Sequence, residues 1–432
     1  MNYYSLNQGA PKVSFKEAAI SGQAPDKGLY FPETIPALEP DLIRDIETLP
    51  EAEIAFRVIR PYTGGTLPDD VLFDIVSQTV NFPFPLVPVT DSIASLELFH
   101  GPTLAFKDVG ARFMSRCLGY FLKDQQKEVT VLVATSGDTG GAVASGFYGV
   151  EGVKVVILYP RGRVSPVQEK QLTALGNNIT ALEIEGSFDD CQRLVKQAFT
   201  DEGINAKHFL TSANSINVAR WLPQQFYYFF AYKQWREKSM APVVTVPSGN
   251  FGNICAGLLA KATGLPLGHF IAACNANDVV PSFLQTADWQ PRKAVATLSN
   301  AMDVGDPSNF VRIMELFDQQ LLKLKDNLSA VSISDADTIA TISSVFSKTG
   351  YTLDPHGAVA YRALENYREG HPQAKGFILE TAHPVKFPEA VKAATGADID
   401  IPGALGGLMR RPKQAITMPP DYEAFKSYLM SR

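Results

Sequence analysis

His100-Gly-Pro-Thr-Leu-Ala-Phe-Lys-Asp108 lies where a strand pattern gives way to a helix pattern. Upstream, residues 95–99 alternate like a half-buried strand, and Gly101 and Pro102 break the alternation. Downstream, residues 106–122 read as a helix. Lys107, Ala111, Met114, Leu118 and Leu122 fall on one face, with Asp108, Arg112 and Ser115 opposite. Lys107 therefore opens an apolar stripe at the mouth of a strand-to-helix turn. Burial disfavours the charged form of a lysine and leaves a nucleophilic amine. The plainer reading lays the stem over the core and keeps the ammonium in water. This stretch alone leaves both readings open.

The same alternation of strand and helix runs through most of the chain from about residue 93. Apolar runs at 129–135, 153–159, 180–184, 209–211, 243–246, 270–273 and 376–379 have strand length. Helix patterns follow at 140–148, 165–175 (Ser165 as N-cap, Pro166 first), from Ser187, at 216–237 and at 252–262. Continuous apolar strands separated by helices predict parallel sheets covered on both faces. Residues 1–90 differ: they are rich in turn signals, with short helices near 14–21, 40–48 and 68–80. They read as an N-terminal accessory domain, 91–390 as a catalytic α/β region, and 391–432 as a C-terminal helical tail.

Open α/β sheets bind ligands at the carboxyl ends of their strands, so the turns there carry the chemistry. Pro247-Ser-Gly-Asn-Phe-Gly-Asn253 can cradle an anion on backbone N–H groups at a helix start. It lacks the Lys-Ser/Thr of a P-loop and the GxGxxG of a dinucleotide site. Ser136-Gly-Asp-Thr-Gly-Gly141 suits a carboxylate, although simple capping also explains it. Arg161 and Arg163 follow the strand at 153–159, and Asn214, Ser215 and Asn217 open the next helix pattern. Lys386 follows His383-Pro384 beyond the strand at 376–379. Together these are one candidate activated lysine, one phosphate cradle, one carboxylate cradle and spare cations. That set suits pyridoxal phosphate handling an amino acid.

Composition excludes other classes. The 432 residues are 45% apolar and 19% charged, as in ordinary globular proteins. A net charge of −6 argues against nucleic acid. No apolar run approaches a membrane span, and the N-terminus lacks a signal-peptide pattern. Four cysteines without paired spacing fit a reducing cytoplasm, and six scattered histidines predict no metal site. Arg410, Arg411 and Lys413 read as a solvated basic patch.

Seven motifs in order carry a resemblance that spans the chain. They are L-F-H-G-P-T-L-A-F-K-D at 98–108, A-T-S-G-D-T-G at 134–140, V-I-L-Y-P-R-G at 156–162, S-A-N-S-I-N at 212–217, P-S-G-N-F-G-N at 247–253, L-S-N-A-M-D-V at 298–304 and T-A-H-P-V-K-F at 381–387. By these the chain resembles the longer bacterial and fungal threonine synthases, within the fold-type II pyridoxal-phosphate enzymes. The resemblance implies a fold like the tryptophan synthase β subunit: two parallel-sheet α/β domains with the active site between them, plus a small helical N-terminal domain. It implies conversion of O-phospho-L-homoserine and water to L-threonine and phosphate. Lys107 would hold the cofactor as a Schiff base, and Gly249, Asn250, Phe251, Gly252 and Asn253 would bind its phosphate. Thr381 would face the ring nitrogen. Asp138 stands where many relatives place asparagine beside the ring oxygen. Ser136 and Thr139 would hold the substrate carboxylate, and Arg161, Asn214, Ser215 and Lys386 the substrate phosphate. Asn253 is often an acid in relatives, and little consequence is expected. A monomer is expected. A phospholyase or dehydratase of the same fold, or a non-catalytic pyridoxal-binding relative, are the alternatives.

Overall fold

The structure is a computed structural model that describes residues 1–123 and 128–432. The chain divides into two compact units. The first comprises Met1, Phe31–Phe106 and Trp221–Asp400; the second comprises Asn2–Tyr30, Lys107–Arg220 and Ile401–Arg432. The first ninety residues thus contribute to both.

The first unit holds a six-stranded sheet, in the order Leu328–Ser332, Phe270–Cys274, Val243–Pro247, Gly376–Glu380, Ile93–Glu97, Leu86–Pro88. Its neighbours are parallel except the last pair, which is antiparallel. Ile93, Val243, Ile271 and Ile378 pack against Val359 and Leu364 of helix Pro355–Gly370 and Ile342 and Val345 of helix Asp335–Thr349. The second unit holds a five-stranded parallel sheet, ordered Ile416–Met418, Ile179–Ile184, Val153–Pro160, Val129–Ala134, Phe209–Ser212. Leu132, Leu158 and Leu182 pack on Cys191 and Leu194 of helix Phe188–Thr200, and on Phe425 and Leu429 of helix Tyr422–Met430. Every residue of Val129–Ala134 is buried, as an uninterrupted apolar strand requires.

Several elements differ from their sequence patterns for physical reasons. Helix Lys107–Leu122 is buried on the supposedly polar side as well: Asp108 and Ser115 are both enclosed. Two helices cover it. Phe15 of helix Phe15–Ser21 meets Phe113, and Gly146 of helix Asp138–Phe147 lies so close to Ala111 that a Cβ would approach its carbonyl carbon to 3.0 Å. The helix expected over 216–237 is broken into Val218–Trp221, a 3-10 turn Leu222–Gln225 and Phe226–Gln234. Pro223 lacks the N–H that an unbroken α-helix would use. Helix Glu51–Thr63 was not anticipated, since its own Pro61 interrupts the pattern. Strands Leu86–Pro88, Leu328–Ser332 and Ile416–Met418 sit at sheet edges, where short, partly polar runs give little periodic signal. The last of them places a strand in the C-terminal stretch expected to be helical.

Lys413 is exposed, as expected of the basic patch, but it is also engaged in ion pairs. It makes ion pairs with Glu169 at 2.8 Å and with Glu183 at 2.7 Å, and Glu183 is only 7% exposed. Burial opposes ionisation of Glu183. Hydrogen bonds from Lys413 and Thr417 and the lysine charge outweigh it, so the carboxyl lies below the usual glutamate range. A carboxyl with a lowered folded pKa stabilises above its unfolded value, about 4.3. Lys413→Met should cost about 1–2 kcal/mol at neutral pH, discounted for the exposure of the lysine. The deficit should close as pH falls and Glu183 becomes protonated in both proteins. Urea unfolding of parent and variant at neutral pH and in acid checks both the size and the sign.

Candidate active site

In the first unit, the carboxyl ends of three neighbouring strands gather the relevant turns. Strand Val243–Pro247 leads into residues 248–253. Its parallel neighbour Gly376–Glu380 leads into Thr381, and Ile93–Glu97 beside that leads into the 98–106 segment. This segment turns back and pairs with the residues after Glu380. Leu98 N–H donates to the Glu380 carbonyl (3.0 Å), Phe106 N–H to that of Thr381 (2.9 Å) and His383 N–H to that of Leu104 (3.1 Å). Ala105 and Ala382 form an antiparallel bridge. The hydroxyl of the fully buried Tyr227 donates to the Phe106 carbonyl. Phe106 is thus held from both sides, and the next residue in the chain is Lys107, the first residue of its helix.

The glycine-rich turn is shaped by close packing. A Cβ on Gly249 would lie 2.6 Å from the Cα of Met302, so only glycine fits there. Phe251 adopts φ +60° and immediately precedes helix Gly252–Ala262, which has no side-chain cap. Edge-on packing against Phe310 at 5.7 Å anchors its ring. Asn250 Oδ1 accepts from the Ser308 N–H and hydroxyl, both at 2.8 Å. Asn253 is 7% exposed; its Oδ1 accepts from the Tyr228 hydroxyl at 2.7 Å. Its Nδ2 is buried and has no acceptor among the described residues. An uncapped helix start and an orphaned amide donor fit a phosphate group.

Thr381 is buried at the end of its strand, and Lys386, 1% exposed, closes the 3-10 turn Pro384–Lys386. His383 Nδ1 accepts from Val385 N–H, which leaves the ring proton on Nε2. Burial, reinforced by His100, lowers the pKa of His383. Glu380 lies one residue before Thr381 and is fully enclosed. Burial, with the Asp354 charge, raises its carboxyl well above the ordinary range.

In the second unit, strands Val129–Ala134, Val153–Pro160 and Phe209–Ser212 are neighbours, so the turns after them share one end of the sheet. Thr135 Oγ1 accepts from Gly137 and Gly140 N–H, both at 2.9 Å. Gly137, at φ +137°, begins a helix without a side-chain cap, Asp138–Phe147. Asp138 is 5% exposed, and its Oδ1 accepts from Gln168 Nε2 at 3.0 Å. The other end of that amide, Oε1, accepts from Ser165 N–H in a capping box, so the donor face of Gln168 is committed to Asp138. Ser136 and Thr139 are partly buried beside it. Asn217 does the local structural work: Oδ1 accepts from Ala219 N–H, and Nδ2 donates to the Ala19 carbonyl. Asn214 and Ser215 remain half-buried. Arg161 is exposed and paired with Glu185 at 2.6 Å.

Sequence reasoning missed Gln168, Tyr227, Tyr228 and Met302. Gln168 had a visible signal, the Ser165-x-x-Gln168 capping box. The others act through packing that no local pattern records. Among the described residues, no cluster of three His, Cys, Asp or Glu could hold a metal, and no helix is long and apolar enough to cross a membrane.

Comparison with known proteins identifies the family of the chain. The chain matches the family profiles "Threonine synthase N terminus" over residues 2–80, "Pyridoxal-phosphate dependent enzyme" over 90–379 and "Threonine synthase, C-terminal" over 357–429. It is 44% identical to threonine synthase of Escherichia coli, over 100% of both chains. The crystal structure of the Escherichia coli enzyme superposes with a TM-score of 0.92. A PLP-bound threonine synthase from Brucella melitensis, 37% identical, covers 100% of this chain and 99% of its own at a TM-score of 0.93. With this identity sustained end to end and the family's regions matched along its length, the chain belongs to the threonine synthase family of pyridoxal-phosphate-dependent lyases.

Proposed function

We propose that this enzyme converts O-phospho-L-homoserine and water to L-threonine and phosphate. The observation that carries the reading is Lys386, a lysine 1% exposed at the same sheet end as the glycine-rich turn. A substrate with its own phosphate needs a cationic group besides the cradle that takes the cofactor phosphate. Residues 249–253 would take that cofactor phosphate, and Lys107 would hold the cofactor through Nζ. Thr381 would offer the ring nitrogen a neutral hydroxyl. Pyridoxal phosphate, when bound, supplies an electron sink for charge left at substrate carbons by proton removal.

The residues then divide the work. Ser136, Thr139 and the backbone donors at the start of helix Asp138–Phe147 orient the substrate carboxylate. Lys107 Nζ withdraws protons at Cα and then Cβ, and phosphate leaves from Cγ. Two protons return, at Cγ and Cα. Water supplies the hydroxyl at Cβ, and its remaining proton balances the departing phosphate. Lys386 is the cation assigned to the substrate phosphate, with Asn214 and Ser215 as further candidates; Arg161, already paired with Glu185, is a weaker one. Gln168 Nε2 donates to Asp138 Oδ1 and would orient that carboxyl group beside the ring oxygen of the bound cofactor.

Purified holoenzyme given O-phospho-L-homoserine should release phosphate and threonine in equal amounts. Phosphate accompanied by 2-oxobutanoate, without threonine, would replace this reading with a phospholyase. Lys107→Ala should lower turnover by at least about 10²-fold; normal turnover would remove Lys107 from the mechanism. Lys386→Met should raise the substrate KM about 10- to 100-fold while leaving cofactor affinity unchanged, as expected for loss of a charged hydrogen bond to phosphate. Steady-state kinetics beside a cofactor titration separates the two quantities.

A further inference from the structure

The glycine-rich turn ends on an amide whose orientation is decided from behind. Asn253 opens the second position of helix Gly252–Ala262, and the Tyr228 hydroxyl lies 2.7 Å from its Oδ1 and 2.9 Å from its backbone oxygen. A phenol has one proton to give. The backbone oxygen already lies in register for the helix, which makes Oδ1 the acceptor in need. Donation there points the NH2 group away from Tyr228, where Nδ2 is buried without an acceptor among the described residues. The reverse orientation would present the carbonyl oxygen to an anion, which is repulsive.

Tyr228 is itself tightly enclosed. It is completely buried, its ring packs on Phe270 at 5.9 Å, and a Cβ on Gly257 would come within 2.4 Å of it. Burial also keeps the phenol protonated, since it raises the pKa well above the ordinary value. The hydroxyl is therefore a fixed donor in every relevant condition.

We infer that Tyr228 is a positioning residue for the cofactor phosphate: it locks the Asn253 amide so that Nδ2 donates to a phosphate oxygen in the glycine-rich turn. This rests on the reading of residues 249–253 as the phosphate site. It also gives position 253 a consequence: asparagine serves as a donor here, which an ionised aspartate could not do.

The test compares apoenzyme affinities for pyridoxal phosphate and for pyridoxal, which lacks the phosphate, by absorbance titration. The wild-type protein should prefer the phosphorylated form strongly. Tyr228→Phe keeps the ring and removes only the hydroxyl; it should lower pyridoxal phosphate affinity about 10-fold and leave pyridoxal affinity unchanged. Asn253→Ala should lower the same affinity about 10- to 100-fold. The double variant should match Asn253→Ala alone, because Tyr228 acts only through that amide. Equal weakening of both ligands by Tyr228→Phe, additive losses in the double variant, or no loss at all would each overturn the proposal. Should Tyr228→Phe fold poorly, the phosphorus-31 resonance of cofactor bound to Asn253→Ala decides: an unchanged shift overturns it. A wild-type protein indifferent to the phosphate would instead sink the cradle reading itself.

Discussion

The short antiparallel pairing between residues 104–106 and 381–383 is the constraint on which the site depends. It ties the approach to Lys107 to the end of a central strand, and Tyr227 fixes the last peptide of that approach by its carbonyl. A lysine side chain has four rotatable bonds and would otherwise sweep a wide volume. Fixing the backbone immediately before it, and starting a helix with it, sets the point from which that side chain reaches out. Thr381 takes part in the same pairing through its own carbonyl, so Phe106 and Thr381 are held by one set of hydrogen bonds.

Helix starts in this protein are finished in different ways. Ser14, Ser165, Ser187 and Ser334 each accept from a backbone N–H at the third helical position, whereas helices Glu51–Thr63 and Asp69–Thr79, entered through Pro50 and Pro68, have no side-chain cap. The two helices that follow the glycine-rich turns take no cap from the residue that precedes them, although Thr135 Oγ1 accepts from Gly140 N–H in the second of them. Phe251 and Gly137 precede them with positive φ angles and offer no side-chain acceptor. The cost is real, since a cap is worth about 1 kcal/mol and a non-glycine residue at positive φ adds strain. What the fold gains at the first of these is a helix start with a buried amide donor, Asn253 Nδ2, beside it.

The strongly periodic parts of this architecture are legible in the chain itself. Runs such as Val153–Pro160 and caps such as Ser165-Pro166 depend on neighbours in sequence, so sequence displays them. The lysine and the cradle stand out as candidates at strand ends but are ambiguous one by one; only the ordered motifs of the resemblance give them, and Asp138, their proposed roles. The supports behind them are not. Tyr228 reads as one more aromatic in a buried run, Phe226–Gln234, and only folding brings its hydroxyl to Asn253, 25 residues away. Met302 likewise approaches Gly249 only once the two segments meet. Arg161 shows the converse: a cation at a strand end looked suited to an anion, yet the carboxylate on the adjoining segment, Glu185, already engages it.

A buried polar layer beneath the first sheet end shows where stability yields to placement. Asp354 caps helix Pro355–Gly370 by accepting from Gly357 N–H at 2.6 Å, and it accepts the Nδ1 proton of His356 at 2.8 Å. His356 Nε2 then accepts from Ala301 N–H, and Met302 beside it is the wall against which Gly249 closes. Glu380 Oε1 accepts from Asp354 N–H at 2.6 Å, while Oε2 is buried without a partner among the described residues. A Cβ on Gly357 would fall 1.4 Å from that oxygen, so the helix reaches the acid only through a glycine. With its folded pKa raised, Glu380 binds its proton more tightly in the native state than in the unfolded one, and stability is lost as pH rises through that raised value. An apolar residue in its place would remove that penalty. Its retention next to Thr381 is better understood as the anchor of a chain of contacts running from Glu380 through Asp354 and His356 to the wall of the cradle. In that chain each buried polar group fixes the next, and the phosphate site is the last member to be positioned.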